Sequence, residues 1–125
     1  MILDTCALLW LTHDQEQISA QTLEEMNRAP LLYICAITGF EIGIKYQTGK
    51  LHLPIPPKDW LEGVIDHHDL AVIELDVAIC LKSTELPPIH RDPCDRFIIA
   101  TSILKGLPVV TGDKRFAEYG VNVII

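Results

Sequence analysis

Four carboxylates that are widely separated in the chain occupy the same kind of position. Each lies at or just after the point where an apolar, strand-like run gives way to a helix-like one; they are Asp4, Glu41, Asp95 and Asp113. In an alternating strand–helix fold, such points collect along one edge of the sheet. Acids collected at one edge repel one another, and a bound divalent cation is the usual compensation. The pattern therefore predicts a metal site.

The type of ligand indicates which metal this site would take. Four carboxylates without His or Cys ligands nearby form a hard oxygen site, which suits Mg²⁺ or Mn²⁺ and does not suit zinc or copper. A Mg²⁺ site held by carboxylates keeps several waters and accepts ligands from substrate phosphates. A water acidified by the metal can attack a phosphodiester, and a second metal can stabilise the leaving oxygen.

The elements that must position these acids are predicted from apolar runs, helix caps and turn residues. Strands are predicted at residues 1–3, 31–36, 71–75, 107–111 and 121–125. Helices are predicted at residues 5–11, 20–28, 38–48, 57–67, 77–86, 93–105 and 114–119. Apolar strands that alternate with amphipathic segments indicate an α/β fold with a largely parallel sheet.

This topology places the four acids on one rim. Asp4 and Asp113 follow strands, so they lie at the carboxyl edge of the sheet. Glu41 and Asp95 lie in the first turns of helices that run antiparallel to the strands, and those turns lie at the same edge. Ligands of open α/β sheets bind at this edge.

Each acid also has a purely structural explanation at the start of a helix. Residues of this type are favoured as N-caps, in capping boxes and in the first helical turn. The residues concerned are Asp4, Asp113, Asp92 with Asp95, and Thr38 with Glu41. Caps explain each acid singly, but they do not require four acids on one rim.

The composition indicates one folded domain, residues 1–125, because 49% of the residues are apolar and 22% are charged. The formal net charge of −7 argues, by itself, against a nucleic-acid binder. Two divalent cations would change it to −7 + 4 = −3. The chain start does not have the pattern of a signal peptide, and no apolar run is long enough to span a membrane. The four cysteines are widely spaced and are predicted to be reduced, mostly core thiols of a cytoplasmic protein.

Four stretches of the chain, in this order, resemble the PIN-domain ribonucleases, and within them the VapC-type toxins of bacterial toxin–antitoxin pairs. They are Ile2–Thr5, Cys35–Lys45 followed by Gly49–Leu51, Asp92–Thr101, and Leu107–Asp113. The order and the gaps are similar to those of the family, and the resemblance covers essentially the whole chain. Cys35, Cys94 and Gly39 depart from the residues that are common in relatives, and these departures affect packing near the site.

The resemblance implies a PIN-like three-layer α/β/α sandwich with a mostly parallel central sheet. It also implies a Mg²⁺- or Mn²⁺-dependent endoribonuclease, the toxin of a pair, which cleaves RNA phosphodiesters with a metal-activated water. Asp4 and Asp95 match the principal metal ligands of the family, and Glu41 and Asp113 match acids that support them directly or through water. Thr111 is similar to the family hydroxyl beside the acids.

The expected partners are an RNA substrate, a cognate antitoxin protein and a second copy of the chain in a homodimer, with no membrane. In this family the antitoxin lies across the site. Four aromatic residues are predicted to be mostly core, and part of this set could line a groove for a partner helix: Trp10, Phe40, Tyr46 and Trp60.

The remaining charged residues near the acids have less specific predictions. Arg96, Lys114 and Arg115 are the candidates for contact with an RNA backbone. Lys45 follows Glu41 by four residues, so we expect an ion pair within one helix. Three histidines are predicted to be solvated rather than catalytic: His67, His68 and His90.

Three alternatives belong to other functional classes. One is a catalytically silent PIN-like module that only binds a partner, although the presence of all four acids argues against it. Another is a phosphatase or phospho-acceptor domain, which would favour an Asp-x-Asp pair where this chain has Asp4-Thr5-Cys6. A dinucleotide-binding domain is disfavoured because no G-x-G-x-x-G follows the first strand.

Overall fold

The central sheet has five strands in the order β3-β2-β1-β4-β5, and every neighbouring pair is parallel. The structure is a computed structural model that describes residues 1–125. The strands are β1 (Ile2–Leu3), β2 (Leu32–Cys35), β3 (Leu70–Ile73), β4 (Val109–Val110) and β5 (Val123–Ile124). The predicted α/β class is thus confirmed, and the sheet that was predicted to be mostly parallel is parallel throughout.

Six α-helices and two 3₁₀ helices surround the sheet. The α-helices are α1 (Thr5–His13), α2 (Ala20–Arg28), α3 (Ile37–Gln47), α4 (Pro57–His67), α5 (Val77–Glu85) and α6 (Pro93–Lys105). The 3₁₀ helices are Gln15–Gln17 and Lys114–Tyr119. No helix combines the length and the apolar character needed to cross a membrane.

Local signals account for most helix ends. The hydroxyl of Ser19 accepts the Thr22 amide and caps α2. Gly106 ends α6 in the left-handed conformation, with φ 66°, which costs glycine little because it has no Cβ. Pro93 occupies the first position of α6, where its missing N–H leaves no broken hydrogen bond.

The sheet separates two hydrophobic cores, which makes the three-layer sandwich that was expected. Successive strand residues point to opposite faces, so Ile2 packs in one core and Leu3 in the other. Val109 and Val110 alternate in the same way in β4. The core on the Ile2 side is closed by α5 and α6, and the core on the Leu3 side by α1 to α4. Buried strands with this alternation position the acid-bearing loops at their carboxyl ends.

The four cysteines are free, as predicted. Cys35 and Cys94 are buried in the core on the Ile2 side. Cys80 is half-buried and Cys6 is exposed, so only half of the set fills the core. Gly39 leaves ordinary space beside Leu61, since an added Cβ would lie 3.7 Å from Leu61 Cδ2.

Candidate metal centre

All four predicted acids border one open cavity at the carboxyl edge of the sheet. The cavity has a volume of about 350 Å³. Asp4 follows β1, Asp113 follows β4 after two residues, and Asp95 lies in the first turn of α6. Glu41 lies in the second turn of α3. The other lining residues are Thr5, Cys6, Trp10, Lys45, Asp92, Gly112 and Arg115. Acids up to 109 positions apart in the sequence are therefore brought together as the topology predicts.

Asp4 is the most buried of the four acids, with 4% of its surface exposed. Its Oδ1 accepts the Ala7 amide at 2.8 Å, so it caps α1 as well as facing the cavity. Burial raises the pKa of Asp4, while hydrogen bonds from Thr111 and the Ala7 amide oppose the increase. The Thr111 hydroxyl in turn accepts the Asp113 amide at 3.0 Å. This hydroxyl therefore connects two of the acids.

Glu41 has one carboxylate oxygen paired and one unpaired. Its Oε2 lies 2.8 Å from Lys45 Nζ, which confirms the predicted ion pair within the helix. Its Oε1 is buried and has no hydrogen-bond partner. An unpaired buried carboxylate oxygen is energetically costly unless a cation or a donor meets it.

The structural alternative for Glu41, a capping box with Thr38, does not hold. Helix α3 begins at Ile37 directly after β2, and no side chain caps its first turn. Thr38 lies inside the helix and is fully buried, with its hydroxyl 3.2 Å from that of Thr5. Glu41 is therefore not a cap; it lines the cavity and is paired with Lys45.

Asp95 has the most perturbed environment among the acids. Burial, followed by the charges of Asp92, Glu41 and Asp4, raises the pKa of Asp95 to about 7. Asp92 caps α6 as predicted, with its Oδ1 accepting the Cys94 amide at 2.9 Å. Asp92 also lines the cavity, so it adds a fifth carboxylate to the site. The site collects more negative charge than its neighbouring side chains neutralise.

Asp113 is the one acid that is strongly compensated. Arg115 donates from Nε to Oδ1 at 3.0 Å and from Nη2 to Oδ2 at 2.7 Å. The Arg115 amide also donates to Oδ1, and His90 contacts Oδ2. These bonds, those from Arg115 first, hold the pKa of Asp113 well below its usual range. Arg115 remains exposed at the cavity mouth, whereas Lys114 is exposed but does not line it.

The prediction that His90 is solvated is wrong. His90 is 3% exposed, and its Nε2 lies 2.9 Å from Asp113 Oδ2 and 3.1 Å from Asp95 Oδ2. A candidate metal-binding cluster of one nitrogen and two carboxylate oxygens is thus formed by His90, Asp95 and Asp113. The available sequence signal was the position of His90, two residues before the Asp92 cap, in a proline-rich turn that leads into α6.

Arg96 is also misassigned by the sequence. Its guanidinium does not line the cavity and instead donates to four backbone carbonyls. They belong to Ser83, Leu86, Pro87 and His90. Arg96 therefore ties the end of α5 to the loop before α6, and it is not free to contact RNA.

The aromatic residues divide between the core and the surface. Trp60 is buried, and Trp10 is half-buried against Gly112 at the cavity wall. Phe40 and Tyr46 were expected to be mostly core, but they are 59% and 37% exposed. Phe40 and the exposed Ile44 lie one turn apart on α3, whereas Tyr46 lies on another side of the helix.

The residues at this rim fit a hard divalent cation. Every candidate acid supplies carboxylate oxygens, which Mg²⁺ and Mn²⁺ prefer. The cavity is lined by Glu41, whose Oε1 is buried without a hydrogen-bond partner, and by Asp95, whose raised pKa disfavours the charged form. A cation would satisfy the first group and favour the charged form of the second.

Comparison with known proteins identifies the family over nearly the whole length of the chain. A family model of the PIN domain matches residues 1–122. The chain is 26% identical over 120 residues to Ribonuclease VapC22 of Mycobacterium tuberculosis, which covers 95% of this chain and 91% of that protein.

Solved structures share the fold at lower sequence identity. VapBC2 from Rickettsia felis, bound to a DNA fragment from its promoter, superposes with a TM-score of 0.73 at 15% identity, covering 98% of this chain and 96% of that chain. DNA-bound VapBC from Salmonella typhimurium gives a TM-score of 0.72 at 21% identity, covering 98% and 95%. The resemblance to VapC-type chains is thus confirmed in sequence and in fold. Since the PIN-domain match covers nearly the entire chain, the protein belongs to the PIN domain family.

Proposed function

We propose that this chain is a Mg²⁺- or Mn²⁺-dependent endoribonuclease and the toxin of a toxin–antitoxin pair. The observation that carries the proposal is the convergence of five carboxylates on one open cavity, among them Glu41, whose Oε1 is buried without a hydrogen-bond partner. Such an arrangement is costly unless a cation occupies it. The ribonuclease name of a relative that aligns with 95% of this chain supports the reaction type.

Asp4 and Asp95 are the proposed principal ligands, and Glu41 and Asp113 support the cation directly or through water. Asp4 lies at the end of the central strand β1, is the most buried of the four acids and lines the cavity, which suits a principal ligand. Asp113 is held by Arg115 and His90, which suits a supporting role better than a principal one.

The bound cation would supply a positive charge for the phosphodiester oxygens. It would also supply an acidified water for hydrolysis of the phosphodiester bond. This chain's own cations would orient the RNA. Lys45 and Arg115 both line the cavity. Burial opposes the protonated form of Lys45, but the adjacent Glu41 outweighs it and raises the pKa of Lys45, so the ammonium persists at neutral pH. Lys114, exposed beside Arg115, extends this basic surface.

The proposed partners are an RNA substrate, an antitoxin and a second copy of the chain, in the cytoplasm. The solved relatives are VapBC assemblies, which supports an antitoxin partner here. Phe40 and Ile44, exposed one turn apart on α3, offer an apolar surface for an antitoxin helix.

Cleavage of total RNA by the purified protein, with and without EDTA, tests this function. We expect cleavage with Mg²⁺ or Mn²⁺ that EDTA abolishes. In Asp4→Ala and Asp95→Asn it should fall at least roughly 100-fold, because loss even of groups behind the ligands costs about 10–100-fold in metal sites. Asp66→Asn, the same change as Asp95→Asn at an exposed position, is the matched control.

Two results would contradict the proposal. Cleavage that is unchanged in both Asp4→Ala and Asp95→Asn would show that these acids are not the site. A well-folded wild-type protein that binds neither Mg²⁺ nor Mn²⁺ at millimolar concentration in calorimetry, and cuts no RNA, would indicate a module that only binds a partner.

A further inference from the structure

His90 is held on every side although it carries no role in the proposed chemistry. Its backbone amide donates to Tyr119 Oη at 2.7 Å, and its carbonyl accepts from Arg96 Nη1 at 3.1 Å. The ring meets Phe116 edge to face, with the ring centroids 5.9 Å apart. A buried imidazole fixed in this way presents its two nitrogens in defined directions.

The hydrogen bond at Nδ1 determines which nitrogen carries the proton. The Asp92 amide donates to Nδ1 at 3.2 Å, so Nδ1 presents a lone pair. The ring is then the neutral form with its proton on Nε2. That N–H donates to Asp113 Oδ2 at 2.9 Å, and Asp95 Oδ2 lies 3.1 Å from the same nitrogen. One donor therefore lies between two acids that come from separate elements.

We propose that His90 is a positioning residue whose Nε2–H holds the carboxylate of Asp113, and attracts the neighbouring carboxylate of Asp95, for the cation, without itself binding the metal. This inference rests on the proposed function. If His90 were a ligand, Nε2 would need a lone pair and the ring proton would move to Nδ1. The Asp92 amide would then face a second donor, and the bond at the start of α6 would be lost.

The surrounding loop is built to keep His90 in this place. Pro87 O accepts from Arg96 Nη1 at 2.9 Å and from Tyr119 Oη at 2.7 Å. Arg96 Nη2 also donates to Ser83 O and Leu86 O at the end of α5. These bonds connect α5, the 3₁₀ helix at Lys114–Tyr119 and α6 around one turn. Arg96 and Tyr119 thus fix the backbone from which His90 reaches the acids.

Three substitutions at His90 distinguish the roles of its two ring nitrogens. His90→Gln places an amide N–H near the position of Nε2, His90→Asn keeps an acceptor near Nδ1 but is too short to reach the acids, and His90→Leu removes both functions. We expect Mn²⁺ affinity, measured by calorimetry, to stay within about 3-fold of wild type in His90→Gln. In His90→Asn and His90→Leu it should fall about 10–100-fold, the usual effect of losing a group that orients a metal ligand. RNA cleavage should follow the same order, and His67→Gln at an exposed site is the control.

A second measurement on the wild type tests the tautomer without metal. In ¹⁵N spectra of histidine-labelled protein, the His90 resonances, assigned by their loss in His90→Leu, should show Nε2 protonated and Nδ1 unprotonated. This pattern should persist when Mg²⁺ is added. Loss of the Nε2 proton on adding Mg²⁺, or a protonated Nδ1 without it, would overturn the inference.

The outcomes also separate this inference from the function on which it rests. Rescue by His90→Asn with failure of His90→Gln would show that His90 only supports the loop through Nδ1. A Mn²⁺ affinity equal to that of the wild type in all three variants would overturn the positioning role and leave the proposed nuclease function intact. A wild type that binds no Mn²⁺ and cuts no RNA would instead remove the proposed function, and the role of His90 with it.

Discussion

Replacing Asp95 with Asn should stabilise the metal-free protein at neutral and alkaline pH. Asp95 is crowded by burial and by Asp92, Glu41 and Asp4, which together raise its pKa from 3.8 to about 7. The side chain of Asn has nearly the same shape as that of Asp, so the substitution removes charge with little change of packing. An acid that weakens its own fold is expected where a cation normally compensates.

The magnitude and sign follow from the two pKa values. Below pH 3.8 the group is protonated in both the folded and the unfolded chain and contributes nothing. Between pH 3.8 and about 7 the folded chain keeps a proton that the unfolded chain has released, so stability falls as the pH rises. The full shift corresponds to about 4 kcal/mol at ~1.4 kcal/mol per pH unit. Solvent screening of this partly exposed carboxyl reduces the expected effect to about 2 kcal/mol.

Urea unfolding in EDTA, from pH 4 to pH 8, measures this difference. We expect Asp95→Asn to match wild type at pH 4 and to exceed its free energy of unfolding by about 2 kcal/mol at pH 8. Asp66→Asn, which changes an exposed carboxyl by the same chemistry, should show no such trend. A variant that is no more stable than wild type at pH 8, or a difference that does not depend on pH, would refute the reasoning.

Three further predictions concern the cavity and the loop before α6. Saturating Mg²⁺, at 100 times its dissociation constant, should raise the free energy of unfolding of the wild type by about 2.7 kcal/mol; a similar rise in Asp4→Asn would contradict the ligand assignment. Arg96→Ala should lose about 3 kcal/mol of stability in urea unfolding, because a charged donor to four carbonyls is removed. Arg96→Lys should recover little of this stability, since an ammonium cannot reproduce the planar fork of the guanidinium. Full recovery in Arg96→Lys would refute this account. Gly112→Ala places a Cβ 2.7 Å from Trp10 Cη2 and should displace the indole, so Trp10 fluorescence, measured in Trp60→Phe, should shift to the red; an unchanged spectrum would show that the backbone moves instead.

The acids could be predicted from the sequence because their positions depend on topology. A residue that follows a parallel strand, or that begins a covering helix, lies at the carboxyl edge whatever its neighbours are. Correct types of secondary structure were sufficient to place Asp4, Asp95 and Asp113 at this edge. Local residue spacing was sufficient to predict the caps at Ser19 and Asp92. Boundaries were less accurate: β4 was predicted as residues 107–111 but pairs only over Val109–Val110.

His90 and Arg96 could not be assigned because their partners are fixed by packing. The contact between His90 and Asp113 spans 23 residues, and Arg96 is committed to carbonyls of a loop without a regular pattern. Thr38 shows the opposite failure. A local capping pattern was present, but burial of Thr38 against Thr5 took precedence over it.

The sheet order also determines when, during synthesis, the cavity can exist. The first strand to emerge, β1, lies at the centre of the sheet, but its neighbour β4 is formed from Val109–Val110. More than 100 further residues must therefore be synthesised after Asp4 before Asp113 can face it. Closing so long a separation is slow compared with forming the helices in between. A nascent chain would therefore carry most of its helices before the acids of the proposed site could meet.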